Sequence, residues 1–406
     1  MSDITSCRLC GSSDLGVVID LGNQALGCHY PVLGEEAPRS PLKLLRCHAC
    51  GLAQLSESVD PALLYRAGYG YQSGQTETMR KHLKGVVDYL VDEFVEGVYR
   101  PLRVLDIGCN DGTLLKAWPA ETERVGFDPL VEQFVYDDKG SECILIPHRF
   151  SAEACKTFDP GPFDAITACA MLYDVEDPIA FLSDVAEVLA PDGLFLVEVM
   201  YVGAMLEGAW DHISHEHVTY WDVTRLRSAA NTVGLRLVSV DFFPMNGGTI
   251  RCAFTHEGSK RPTFVQDALI EKERVDFGQS SRWDSFCSNT LASARYIHET
   301  VEHYSKTGGI VDVLGASQKG NTVLQAADLS SPLIRWASER DERRHGRFTP
   351  GSKIEIVSEE QSRSIPPTAY LVLPWHFRHE ILVRERTLRE RGVRFIFPLP
   401  KLEVVK

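Results

Sequence analysis

Short apolar runs and longer periodic segments alternate along most of this chain. The runs 102–107 (LRVLDI), 124–127 (RVGF), 164–169 (DAITAC), 194–200 (LFLVEVM) and 236–242 (RLVSVDF) predict strands. Apolar positions at helical spacing fall between them, as in 178–190 (PIAFLSDVAEVLA). This strand–helix alternation, from about residue 75 to 255, predicts a doubly wound, mostly parallel α/β sheet. A charged helical pattern over 265–305 leads into a second alternation. Its strands are expected at 309–314 (GIVDVL), 332–336 (PLIRW), 353–357 (KIEIV), 369–373 (AYLVL) and 393–397 (VRFIF), with helices from about 319 and near 376–391. The two α/β halves share too little sequence to count as a repeat.

At 406 residues the chain exceeds one ordinary core, and three regions are expected: 1–70, 71–260 and 261–406. With 44% hydrophobic and 24% charged residues, the composition is that of a soluble globular protein. No apolar run approaches the ~18 residues of a membrane span. The opening MSDITSCRLC lacks a basic-then-apolar signal pattern, so a cytoplasmic protein is expected. A net charge of −14 argues against nucleic acid as a partner, although a local basic pocket for a small ligand remains compatible with it.

The first region holds two CxxC-G knuckles, Cys7-Arg-Leu-Cys10-Gly and Cys47-His-Ala-Cys50-Gly. Each puts two sulfurs on one tight turn, and four thiolates in two such pairs make a closed, structural Zn²⁺ site. Buried or redox-active cysteines are the alternative. A closed site leaves no position for a reacting water, so its expected role is stability. Cys28 is read as a free thiol.

The segment 104–115 (VLDIGCNDGTLL) is a strand entering a glycine-containing turn and then a helix. A dinucleotide site more often shows GxGxxG with helix amides facing a pyrophosphate. Here Asp106 precedes Gly108 by two in the pattern DxGxNxG, completed by Asn110 and Gly112. An acid there suits a ligand with an amino-acid moiety and no phosphate. Asp128 ends the next strand, about 20 residues on, where a carboxylate can hold ribose hydroxyls. Phe163-Asp164 opens a further strand, and Asp164 is expected to fix its start. Together these match the class I methyltransferase pattern, with S-adenosylmethionine as the donor. Phe150 and Ala168 are candidate adenine-side contacts, and a generic NAD-type Rossmann unit is the competing reading.

The stretch 210–221 (WDHISHEHVTYW) follows a predicted strand, where α/β sites form. His215, Glu216 and His217 could bind a metal, but the spacing is not that of HExxH. Acid–base work by a histidine beside a carboxylate is the stronger reading. Downstream, Asn246-Gly247-Gly248 marks a turn able to approach a ligand.

The full order is the two cysteine pairs, Tyr69-Gly-Tyr71-Gln-Ser73-Gly74, the DxGxNxG core, His215-Glu216-His217, Asn246-Gly247-Gly248 and 315–320 (GASQKG). It resembles the three-domain sugar C-methyltransferases that act on nucleotide-linked 4-keto-deoxyhexoses, enzymes of deoxysugar and natural-product biosynthesis. The resemblance implies enolisation next to the ketone, with His217 as base, Glu216 beside it, and His215 and Tyr220 in the same catalytic segment. It further implies that Tyr71 and Ser73 close the donor site, and that 315–320 and 374–377 (PWHF) line a substrate cleft. Members acting on deoxysugars carry tyrosine where this chain has Ser214. They also carry a histidine in the stretch occupied here by Tyr173 and Asp174. Those two differences bear on the acceptor and leave open a C- or O-methyltransferase for another natural-product precursor. The basic run Arg340, Arg343, Arg344, His345 and Arg347, with Lys319 and Arg378, could meet a diphosphate or could be a solvated face. The expected partner is a small molecule, a nucleotide sugar, and a monomer is the simplest assembly.

Overall fold

The computed structural model describes residues 2–65, 72–94, 100–134, 143–158, 161–265 and 267–406. Its central feature is a seven-stranded sheet in the spatial order Leu235–Phe243, Thr249–His256, Leu189–Met200, Phe163–Cys169, Arg103–Ile107, Glu123–Phe127, Cys143–Ile146. The last five of these run parallel, while Thr249–His256 lies antiparallel to both its neighbours. This is the mixed, doubly wound α/β sheet the alternation predicts. The order reverses between Arg103–Ile107 and Phe163–Cys169, so the crevice beyond their carboxyl ends is the natural ligand site. Strands covered on both faces read as continuous apolar runs, and the first six residues of Phe163–Cys169 are all buried.

Helices begin where their caps allow. Asp177 accepts from the Ala180 amide ahead of Pro178, and Asp222 accepts from the Arg225 amide. Such caps each contribute about 1 kcal/mol. The helix Glu77–Phe94 buries Leu83, Val86, Val87 and Leu90 against the sheet.

The second sheet has six strands in the order Ile356–Ser358, Ala337–Glu339, Val311–Leu314, Ala369–Val372, Arg394–Phe397, Glu403–Val405, parallel but for the last pair. Two helices, Asp267–Gly278 and Ser280–Lys306, precede it, broken at Gln279. Three details differ from the sequence-based expectation. The strand expected at 332–336 lies at Ala337–Glu339; just ahead of it the Arg335 amide donates to the Val311 carbonyl, while the Arg335 side chain and the Trp336 amide bond the buried Asp312 carboxylate. The helix near 376–391 divides into Arg378–Arg384 and Arg386–Glu390. Thr249–His256 is a full strand, hidden in the sequence by inward polar residues that find partners: Arg251 on Glu198, and Thr255 on the Gly193 carbonyl.

The N-terminal sheet extends beyond its own region. Leu15–Ala25, Arg39–Cys47 and Ala53–Leu55 form three strands, and the fourth is Thr219–Tyr220, which pairs antiparallel with Ala53–Leu55. The segment just after His217 is thereby stitched to the cysteine-bearing unit.

Candidate active site

The four cysteines Cys7, Cys10, Cys47 and Cys50 converge, with all four sulfurs within 4.8 Å of one another. The Cys7–Cys50 and Cys10–Cys47 sulfurs stand 3.5 and 3.6 Å apart. Tetrahedral zinc with bonds of ~2.3 Å needs sulfurs about 3.8 Å apart, so the donor set fits Zn²⁺ and leaves no open position. Cys28 stands apart from this cluster, partly buried and in no disulfide, with its Sγ 4.0 Å from the Leu63 carbonyl.

A cavity of about 450 Å³ opens at the switch point of the central sheet. Asp106, Gly108, Asn110, Asp128, Phe150 and Ser73 all line it. Asp106 is 3% exposed; it accepts from Thr167 Oγ1 at 2.7 Å, and no basic side chain pairs with it among the described residues. Burial pushes its pKa up to about 7. Such an acid is suited to receive an ammonium group. Asp128 is held open by two amides, Asn110 N to Oδ2 at 3.0 Å and Leu130 N to Oδ1 at 2.7 Å, which leaves lone pairs facing the cavity. Gly108 and Asn110 adopt positive φ (74° and 49°), bringing backbone rather than side chain to the ligand. The segment after Gln72 docks on this turn, where the Ser73 amide donates to Asn110 Oδ1 (3.0 Å) and the Gly74 amide to Asp111 Oδ2 (2.8 Å).

Phe150 packs edge-on against Phe127 and Phe181, presenting an aromatic wall. Asp174, Glu176, Asp177, Asp184 and Glu198 add to the carboxylates around the cavity, a lining that favours a cation and disfavours a pyrophosphate. The NAD-type alternative therefore does not fit. S-adenosylmethionine does, and when bound it supplies an electrophilic methyl group on a sulfonium.

Other expected donor contacts fall elsewhere. Ala168 is wholly buried in the core; Cys169, the strand's last residue, and Ala170, which turns out of it at φ 57°, line the cavity instead. Gly112, at φ 70°, turns the chain into the short helix Thr113–Lys116 and does not line the cavity. Tyr71 lies outside the described residues. Asp164 fixes its strand's start, accepting from the Arg103 amide at 2.9 Å and from Arg100.

The HEH segment is pinned from below. His215 turns away from both cavities, and its Nε2 donates to the Ser40 carbonyl (2.9 Å) in the N-terminal sheet, a structural bond that removes it from the reacting groups. Tyr220 is likewise a core residue, 5% exposed in the small strand on Ala53. His217 donates from Nδ1 to the His212 carbonyl at 2.7 Å, which leaves Nε2 as the lone-pair nitrogen. Burial lowers the His217 pKa to about 3, and its ring lies 4.3 Å from that of Tyr173. Neither Glu216 nor His217 lines a cavity wall directly; the neighbouring Asp174 does. Asp174 Oδ1 and Ser214 Oγ, at the two divergent positions, are buried without a hydrogen-bond partner among the described residues. Glu216 close by helps hold the Asp174 carboxyl well above its usual range, after burial itself.

A second cavity, about 240 Å³, adjoins the first through shared lining by Ser73, Met79 and Asn246. Gly315, Ser317, Lys319, Pro374, His376 and Phe377 line it, as the sequence suggested. The basic run divides. Arg340 and Arg344 reach this cavity, joined by Arg384, while Arg343 pairs with Asp341, His345 bonds the Glu339 carbonyl, Arg347 bonds the Tyr30 carbonyl and Arg378 pairs with Glu403. Glu339 and Glu359 stand among the cavity arginines, so an incoming anion competes with carboxylates already there. The NGG turn closes the junction. A Cβ on Gly247 would come 2.7 Å from the Trp375 ring, and one on Gly248 would come 2.3 Å from Ala204 Cβ.

Sequence reasoning missed two groups here. Glu198, in the donor cavity, is bridged by Arg251 (2.7 Å) and His82 (2.8 Å). Asp211, 1% exposed, accepts from Trp375 Nε1 at 2.9 Å. Nothing in their local motifs marks them, because their partners lie 53 to 164 positions away.

Three family models match the chain: a "C-methyltransferase C-terminal domain" over 244–400, a "Methyltransferase domain" over 79–240 and a "Putative zinc binding domain" over 7–65. The C-methyltransferase NovU of Streptomyces niveus is 30% identical over 417 residues, covering 99% of this chain and 97% of NovU. A ubiquinone biosynthesis O-methyltransferase of Xanthomonas campestris is 33% identical over 99 residues, 23% of this chain and 41% of that enzyme. Among solved structures, the magnesium protoporphyrin IX methyltransferase of Synechocystis PCC 6803 with bound SAH gives a TM-score of 0.36 at 16% identity, covering 46% of this chain and 90% of that one.

Proposed function

This chain belongs to the family of zinc-binding, three-domain C-methyltransferases that includes NovU, and from that premise we propose that it methylates the carbon beside the ketone of a nucleotide-linked 4-keto-deoxysugar. The observation that carries this reading is the junction of two unlike cavities. One is acidic and built for a cationic donor; the other holds Lys319, Arg340, Arg344 and Arg384, and the two meet at Ser73, Met79 and Asn246. A nucleotide sugar would set its diphosphate among the arginines and its ring at the junction.

His217 Nε2 takes the proton on the α-carbon. The bond pair left behind moves into the ketone as an enolate, whose carbon takes the methyl group. The His212 carbonyl keeps the imidazole in the required tautomer. A buried imidazole is a weak base, so the reaction needs stabilisation of the enolate oxygen from the opposite wall.

The test is turnover with thymidine diphosphate-linked 4-keto-6-deoxyglucose and its 4-hydroxy counterpart. The expected result is a one-methyl mass gain on the ketone only. Methylation of both would point to oxygen, and methylation of neither would exclude this acceptor class.

A further inference from the structure

The second cavity carries a charge arrangement that the sequence motifs do not explain. Lys319 is the second residue of the helix Gln318–Ala326, whose N-cap Ser317 accepts from the Gly320 amide. Its ammonium donates to the Asn246 carbonyl at 2.8 Å and stands 3.9 Å from Asp211 Oδ2, beyond hydrogen-bond reach. An ammonium has three protons, and only the one given to Asn246 finds an acceptor at bonding distance among the described residues. Asp211 Oδ2 is taken by Trp375, while Oδ1 is buried and accepts nothing from any other described residue. His376 Nδ1 beside them is also buried and unpaired. All three side chains, with Asn246, line the second cavity where it meets the first. Leaving buried polar atoms unmet costs about 1–3 kcal/mol each, which a ligand's own polar groups can offset.

Resting on the acceptor reading above, we propose that Lys319 and Asp211 read a vicinal hydroxy-ketone. Lys319 Nζ donates to the ketone oxygen where the enolate charge collects, and Asp211 Oδ1 accepts from the hydroxyl on the adjacent carbon. The Lys319 ammonium and the Asp211 carboxyl lie side by side, 3.9 Å apart at Oδ2, which leaves Nζ and Oδ1 to meet two different oxygens of one ligand. The first dipoles of the helix add positive potential at Lys319. Burial pushes the Asp211 carboxyl up and the Lys319 ammonium down, against the opposing pull of each on the other, so each gains from a ligand group that meets it. In the step itself the α-proton goes to His217, the C–H pair becomes the enolate stabilised by Lys319, and the enolate pair forms the new C–C bond. The S–CH3 pair stays on sulfur.

The zinc-loaded full chain is incubated in D2O with S-adenosylhomocysteine and thymidine diphosphate-linked 4-keto-6-deoxyglucose, and loss of the α-proton signal is followed by NMR. The wild type is expected to exchange that proton without methyl transfer. No exchange by the wild type brings down the acceptor reading and this inference with it. Lys319→Met is expected to slow exchange by ~10²–10³-fold while S-adenosylhomocysteine binds as before, which also reports an intact fold. Exchange by Lys319→Met at the wild-type rate overturns the inference and leaves the acceptor reading standing. Ethylamine is expected to restore part of the exchange in Lys319→Ala; no rescue, with donor binding intact, counts against the ammonium. Asp211→Asn is expected to raise KM for the hydroxylated acceptor and not for its 3-deoxy analogue. An equal penalty on both overturns the hydroxyl contact.

Discussion

Two buried ionisable side chains, shifted in opposite directions, set the expected pH behaviour. Asp106 has its pKa raised to about 7 in the ligand-free protein, so below that pH it is protonated and must lose its proton to receive a cationic donor. Donor affinity is therefore expected to rise with pH up to about 7 and to flatten above, with proton uptake by buffer on binding below it. Each pH unit below the pKa costs up to about tenfold in affinity. Calorimetry in two buffers of different ionisation enthalpy checks this, and a pH-independent affinity between 5.5 and 7 refutes it. The base proposed above, His217, is required in its neutral form, and burial, which lowers its pKa to about 3, keeps it neutral through the same range. With donor and acceptor saturating, kcat is expected to show no loss near pH 6.5 from this histidine. His217→Ala is expected to lower kcat by ~10²–10⁴-fold while S-adenosylhomocysteine affinity holds; near-normal turnover would remove it as the base.

The elements explain how a closed zinc site bears on chemistry some distance from the metal. The second cysteine knuckle closes the C-terminal end of Arg39–Cys47 and leads into Ala53–Leu55, and that sheet carries Thr219–Tyr220 as its fourth strand. His215 bonds Ser40 of the same sheet, and the Leu55 amide donates to the Val218 carbonyl. The segment bearing His217 is thus fixed from both sides of the histidine by the N-terminal unit. Cys47→Ser is expected to release zinc, read by mass spectrometry of the metal content. It is further expected to cut turnover more than donor binding, because the donor cavity is built on the central sheet. Metal content unchanged by the substitution would contradict the four-cysteine site.

How much was legible in advance follows from the range of each interaction. Arg103–Ile107, Glu123–Phe127, Phe163–Cys169 and the end of Leu189–Met200 were visible because both faces are buried and the apolar runs are unbroken, whereas the short, partly exposed Cys143–Ile146 was not foreseen. Asp106, Asp128 and the glycine turn were visible because one local motif holds them together. Thr249–His256 was hidden by Arg251 and Thr255, whose partners lie on another strand. Ala168 was misassigned to the donor site because a one-residue shift along a strand exchanges faces. His215 looked catalytic from its neighbours in sequence, and only the fold shows that it faces Ser40.

At the scale of the whole molecule, the three units meet at one place. The central sheet supplies the donor cavity, the N-terminal sheet fixes the HEH segment, and the C-terminal unit brings Lys319, His376 and the cavity arginines to the NGG turn. None of the three holds a complete site. No helix among the described residues is long and apolar enough to cross a membrane. The central claim is that the methyl group goes to carbon. The most direct measurement is NMR of the product formed from donor labelled with ¹³C in its methyl group and thymidine diphosphate-linked 4-keto-6-deoxyglucose. The account predicts a one-bond carbon–carbon coupling from the labelled methyl to the ring carbon beside the ketone, with loss of that carbon's proton. A labelled methyl without such a coupling, borne on oxygen, would contradict it.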